Sequence, residues 1–221
     1  MNRRALFVGL TAAGAVAAFA TGAVFYQRGE QQQASRQASA SFDVMVREHS
    51  PVMGPSDAPV TIVEFFDPAC EACRAFYPFV KQTLAAFPRD VRLVMRYVPF
   101  HQEPSVVGVQ ILEAARRQDK FEAVLEALLR DQPVWASHQS PSPSRAWDSA
   151  KAAGLDLEQA KAFVDTGVTS KLLEQDVADL KQVGVRATPT FFVNGKPLTQ
   201  VDPQTLHDLV KSEVEASRRS R

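Results

Sequence analysis

Cysteine is nearly absent. Only Cys70 and Cys73 occur in 221 residues. A structural disulfide framework spreads more cysteines along the chain, and a bond closing so short a loop adds little entropic stability. The pair is better suited to chemistry than to stapling. An excess of either charge is also lacking, with 25 Lys and Arg against 25 Asp and Glu. That removes the basic footprint of a nucleic-acid binder and the acidic bias of a disordered chain. The four histidines, His49, His101, His138 and His207, show no ligand spacing. There is no second cysteine pair to complete the four ligands of a closed zinc site. No internal repeat is present. A metal ion, a nucleic-acid partner and any cofactor beyond a Cys70–Cys73 redox disulfide are therefore not expected.

What is present is enough apolar residue, 45% of the chain, to build a core. Charged side chains are missing from Ala5 to Tyr26, behind Arg3 and Arg4. Such a run is long enough to span a bilayer, and basic residues before it favour a cytoplasmic start with the rest exported. Residues 1–26 thus read as a signal anchor or a signal peptide. Ala18-Phe19-Ala20 offers a cleavage-like site, whereas the apolar run continues past it to Tyr26. Both readings put the main domain in an oxidising, periplasmic or otherwise extracytoplasmic compartment. Anchoring in the inner membrane by residues 5–26 is the reading the length of the run favours.

Residues 27–55 begin polar and low in complexity, the composition of a tether, although Phe42 to Val52 leaves room for a short element. Val60 to Phe66 (VTIVEFF) is β-branched and aromatic and predicts a buried strand. Asp67-Pro68 ends it. Cys70 to Phe87 predicts a helix, kinked at Pro78, and Val91 to Val98 a second strand. Helical periodicity covers Glu103 to Arg130 with a break near Gln118 to Lys120. Gln132 to Ser144 reads as a Pro/Ser loop, with further helices through Val183. Trp135 and Trp147 flank that loop and are expected to pack the helical block, as Phe76, Tyr77 and Phe79 are expected to pack under the active-site helix. Thr190 to Val193, the Asn194-Gly195 turn and Pro197 to Val201 suggest a hairpin. Asp202 and Pro203 then start a last helix reaching about Ala216. Strands on both sides of a helical stretch imply one α/β domain at residues 56–217, with an all-helical insertion at about 101–183.

A C-x-x-C pair at a helix start has a physical reason to react. The first sulfur sits by unpaired backbone N–H groups and the positive end of the helix dipole. Both favour the thiolate, which is the nucleophile. The spacing lets the second sulfur close the disulfide or resolve a mixed one. Two soft thiolates can also hold Cu(I), and a plain structural disulfide or an inert core pair are the blander uses.

The stretch from Val63 through Cys70-Glu71-Ala72-Cys73 resembles the active-site strand and helix of DsbA-like thiol:disulfide oxidoreductases, members of the thioredoxin superfamily. Gly184 to Gly195 resembles that family's cis-proline segment, and Arg96 to Phe100 the end of its next core strand. The similarity runs from about Pro59 to the C-terminus and implies a thioredoxin-like fold. It implies Cys70 as nucleophile, Cys73 as resolving cysteine, and Pro189 as the cis-proline, preceded by Thr188, whose backbone would pair with a substrate strand. It implies Glu64 as a proton relay for the buried cysteine; an edge position facing solvent is the other place a strand glutamate can take. Its implied partners are exported cysteine-containing proteins and a membrane redox partner. The intervening dipeptide departs from the best-known oxidant of the family, which has proline and histidine there. Ala72 cannot stabilise a thiolate as histidine does, and Glu71 should disfavour one, so a weaker oxidant is expected. The tether is also too short for the dimerisation domain of the family's isomerase-type members.

Overall fold

The computed structural model describes residues 42–220. The apolar run at residues 5–26 lies outside them. No helix among the described residues is long and apolar enough to cross a membrane.

The centre of the fold is β2 (Val60–Phe66), whose seven residues are all buried. Before it comes β1 (Val52–Met53), and after it β3 (Val91–Tyr97), β4 (Thr190–Val193) and β5 (Lys196–Pro197). The sheet order is β1-β3-β2-β4-β5. β2 pairs parallel with β3 and antiparallel with β4. A strand paired on both edges and covered on both faces needs the near-continuous apolar run that VTIVEFF provides. The β2–β3 crossover is helix α1 (Glu71–Ala86). Between β3 and β4 lie α2 (Glu103–Arg116), α3 (Phe121–Trp135), α4 (Arg145–Ala152), α5 (Leu157–Val164) and α6 (Val168–Val183). The chain closes with α7 (Pro203–Arg219).

Alternation divides the sheet into two faces. Ile62, Phe66, Leu93, Met95, Tyr97, Phe191 and Val193 join the large core with α1, α7 and the helical block. Val63, Phe65, Val94 and Val98 pack on the other face, with Leu180 and Met45. Local chemistry marks the ends of the elements. Asp156 caps α5 through the backbone N–H groups of Glu158 and Gln159. Asp202 caps α7 through Thr205 N–H. Asn194 and Gly195 turn the β4–β5 hairpin with φ of 48° and 80°, the left-handed pair a tight hairpin requires.

Three boundaries move. Residues 42–55 are part of the domain, not of the tether: residues 42–45 are helical, Met45 and Ser50 are buried, and β1 pairs antiparallel with β3. The polar run that reads as a tether ends before Phe42, and the apolar residues from Phe42 to Val46 and at Val52-Met53 are what this segment brings to the domain. The Pro/Ser loop begins later than Gln132, because α3 runs through Pro133 to a fully buried Trp135 whose indole N–H donates to Leu128 C=O at 2.8 Å. The return strand of the hairpin is only Lys196–Pro197.

Candidate active site

Cys70 is the N-cap of α1, with extended backbone at φ −80° and ψ 121°. An N-cap faces the free N–H groups of the first helical turn. No side-chain oxygen caps this helix, so those donors are left to the sulfur. The Cys70 thiol is held well below its ordinary range, at about 5. The largest cause is a hydrogen bond with Cys73. Burial opposes it, while Thr188 and the backbone of Cys73 and Ala72 add to it. Cys73, one turn on and fully buried, is driven far upward by burial first and then by Cys70 and Glu64. The pair therefore divides into an easily ionised outer thiol and an inner one that stays protonated.

The Thr188–Pro189 peptide is cis. It brings the Thr188 carbonyl to 3.4 Å from Cys70 Sγ, as acceptor of the thiol proton. Thr190, the first residue of β4, lies opposite Phe65 on β2, so a chain segment 118 residues from Cys70 is set beside the sulfur by strand pairing.

Glu64 lies between Met95 and Phe191 in the sheet and is fully buried. The solvent-facing edge position does not apply to it. Neither carboxyl oxygen has a hydrogen-bond partner. Burial first, and the Cys70 charge second, together raise its pKa to about 8. At neutral pH it is a protonated acid within electrostatic reach of both cysteines.

Other residues hold the turn before Cys70. The buried Asp67 carboxylate accepts from Ala69 N–H at 2.9 Å and Phe100 N–H at 3.0 Å. It also pairs with His101 Nδ1 at 2.7 Å. Gln132 on α3 donates from Nε2 to Pro68 C=O at 2.8 Å and Cys70 C=O at 3.0 Å. Gly108 on α2 packs against Pro68 so closely that a Cβ there would meet the proline ring at 2.7 Å and come within 3.3 Å of Trp135. The helical insertion thus grips the active-site turn. The His101 and His138 rings are tilted against each other at 59° with centroids 5.4 Å apart, and His138 Nε2 lies 3.9 Å from Glu71 Oε1. His49 and His207 are elsewhere in the fold. In the sequence Asp67 reads only as a strand breaker, and Gln132, Gly108 and His138 carry no sign of a site role. Among the described residues, no group of three or more His, Cys, Asp or Glu side chains could hold a metal ion.

Compared with known proteins, residues 46–212 match the family described as thioredoxin. The chain belongs to the thioredoxin family. Within this family it is DsbA-like. It is 29% identical to disulfide bond formation protein D of Bacillus subtilis, over 74% of this chain and 77% of that protein. The crystal structure of oxidised BdbD from B. subtilis superposes with a TM-score of 0.68 at 27% identity, covering 76% of this chain and 94% of that one. The chain is also 31% identical to a Na(+)/H(+) antiporter NhaA of Herminiimonas arsenicoxydans, over 76% of its own length but only 25% of the antiporter. It therefore spans about a quarter of the length of those antiporter relatives.

Proposed function

We propose that this thioredoxin-family protein is a protein-disulfide oxidoreductase working through Cys70-Glu71-Ala72-Cys73 on cysteine-containing proteins outside the cytoplasm. The observation that carries the reading is the division of the cysteine pair: an outer thiol held at about 5 and a buried partner pushed far up, with the Thr188 carbonyl at the reactive sulfur. With the disulfide closed, a substrate thiolate attacks Cys70 Sγ. The Cys70–Cys73 bond breaks and Cys73 leaves with the electron pair. Protonated Glu64 is the group placed to supply the proton that Cys73 takes up. A second substrate thiolate then attacks the mixed disulfide. The substrate leaves oxidised, and Cys70 leaves as a stable thiolate. Two electrons pass to the protein, and the reverse sequence reduces a substrate. A stabilised thiolate favours the dithiol form and so makes the disulfide the better oxidant. No cofactor beyond the cysteine pair enters the scheme. The apolar segment at residues 5–26 would carry the domain across or into the inner membrane, where a membrane redox partner would reset the pair.

The deciding experiment equilibrates the full-length protein with glutathione mixtures and reads the Cys70–Cys73 potential. A reversible couple above about −200 mV supports donation of the disulfide, whereas one below about −250 mV points to a reductase. Absence of any reversible couple would overturn the enzyme reading and return the pair to structure or Cu(I) binding.

A further inference from the structure

The helix that carries the cysteines borders a second feature which the redox scheme does not use. A cleft of about 350 Å³ runs between α1 and α3, lined by Arg74, Tyr77, Pro78, Lys81, Glu126, Leu129 and Arg130. Its charges are Arg74, Lys81 and Arg130 against Glu126. Lys81 is paired with Glu126, and Arg130 with Asp131 at 2.9 Å. Arg74 takes part in no ion pair among the described residues. Its Nε is enclosed without a hydrogen-bond partner, and so is the hydroxyl of Tyr77, a residue only 5% exposed. Burial first, then Glu126, Glu122 and Glu64, raises the Tyr77 pKa, so this hydroxyl remains a donor. Two buried donors and one uncompensated positive charge thus border a single cleft. Leaving such donors unpaired is costly, and a carboxylate accepts from both and neutralises the guanidinium.

We propose that this cleft is a subsite for a carboxylate side chain of the polypeptide whose cysteine is joined to Cys70, a proposal that rests on the oxidoreductase reading above. Arg74 is four residues from Cys70 and Tyr77 seven, which along a helix is a rise of about 6 and 10 Å. An extended peptide covers that span in about three residues. The preferred substrate therefore carries Glu or Asp about three positions from its reactive cysteine.

The test uses single-cysteine peptides in matched pairs that differ only by Glu or Gln at one to six positions on either side of the cysteine. The rate of exchange with the oxidised full-length protein is measured for each. The Glu-over-Gln ratio should peak near three residues at about tenfold and shrink with added salt. In Arg74→Gln the ratio should fall to near one. In Tyr77→Phe, which deletes one oxygen and keeps the ring, it should fall to about threefold. A wild-type ratio near one at every spacing overturns the subsite, and so does a ratio that survives Arg74→Gln. Dithiothreitol exchange with the wild-type protein separates the two readings. If dithiothreitol reduces the pair reversibly while the peptide ratio is flat, only the subsite fails; if it does not, the redox reading fails first.

Discussion

On the sheet face away from the cysteines, Asp176 and Asp179 are nearly as buried as Glu64 is on the other, at 1% and 2% exposure against none. Their surroundings differ. Asp176 accepts from Arg96 Nη2 at 2.7 Å and from Tyr97 N–H at 2.8 Å, and pairs with His49 at 2.7 Å. Asp179 accepts from Arg47, Arg96 and Gln175. Burial alone would raise Asp179, but the hydrogen bonds from Arg47, Arg96 and Gln175 outweigh it and hold it at about 2. Glu64, with no partner, goes up to about 8. Burial makes a charge costly, and partners decide whether it survives. One face spends its buried carboxylates on locking α6 to β3. The other keeps a protonated acid beside two sulfurs, where a proton must move.

The sharpest way to break this contrast is to remove a partner on the locked face. Asp176→Ala leaves the Arg96 guanidinium buried beside one remaining acid and should lower stability by about 3–5 kcal/mol, read by urea unfolding. A loss below about 1 kcal/mol would mean that the network is no more than a surface-type pair. Glu64→Gln should do the opposite. A carboxyl whose folded pKa is raised binds more protons in the folded state between the ordinary 4.5 and about 8, so its contribution is fully present below 4.5 and is lost as pH rises through 8. The stability of Glu64→Gln relative to wild type should therefore be flat below pH 4.5, climb by up to about 1.4 kcal/mol per pH unit, and level off above pH 8. The same variant should slow the step that protonates Cys73 by about tenfold to a hundredfold, seen as slower formation of the mixed disulfide when the oxidised protein meets a model peptide thiol. A relative stability independent of pH would remove the protonated acid from the mechanism.

Cys70 titrates in the other direction. Its folded pKa is depressed from 9 to about 5, so its contribution to the reduced protein is present above 9 and is lost as pH falls through 5. The stability of reduced wild type relative to reduced Cys70→Ser should rise between pH 5 and pH 9. Alkylation of the reduced protein should have its midpoint near pH 5. A midpoint near 8 or above would show that the helix start and Cys73 leave the thiol unperturbed.

The same contrast explains what the sequence discloses. β2 is legible because six of its seven positions are apolar or β-branched, which leaves little choice but a central strand, and Cys70 is legible as a helix start because Pro68 and the amphipathic run after Cys73 bracket it. Arg96 is not. In VRLVMRY it has the look of a solvent-facing position, and its burial is made tolerable by Asp176 and Asp179, 80 and 83 residues on, and by the Val44 carbonyl that accepts from Nη1. Gln132 is hidden for a related reason: its partners are the backbone carbonyls of Pro68 and Cys70, and a backbone carbonyl leaves no residue-type signal. Asp67 was visible inside the motif, but its work depends on His101 and on the Phe100 backbone, which reach it only once β3 has paired with β2. Pro189 and Thr188 were placed through the family resemblance; their own residue types would equally fit the start of an ordinary strand.

The smallest expected effect concerns Glu71, whose charge should oppose the Cys70 thiolate. His138 stands 3.9 Å from it, but the two side chains are 58% and 62% exposed, and exposed pairs contribute only about 0–1 kcal/mol. In its charged form His138 offsets Glu71, so His138→Ala should raise the Cys70 alkylation midpoint by less than about one pH unit. Combining it with Glu71→Gln should cancel that rise, because the charge to be offset is gone. High salt should erase the difference. A rise of more than about one unit, persisting in salt and in the Glu71→Gln background, would assign control of the thiolate to the helical insertion as well, and the helix start with Cys73 and Thr188 would no longer account for the reactivity of the pair.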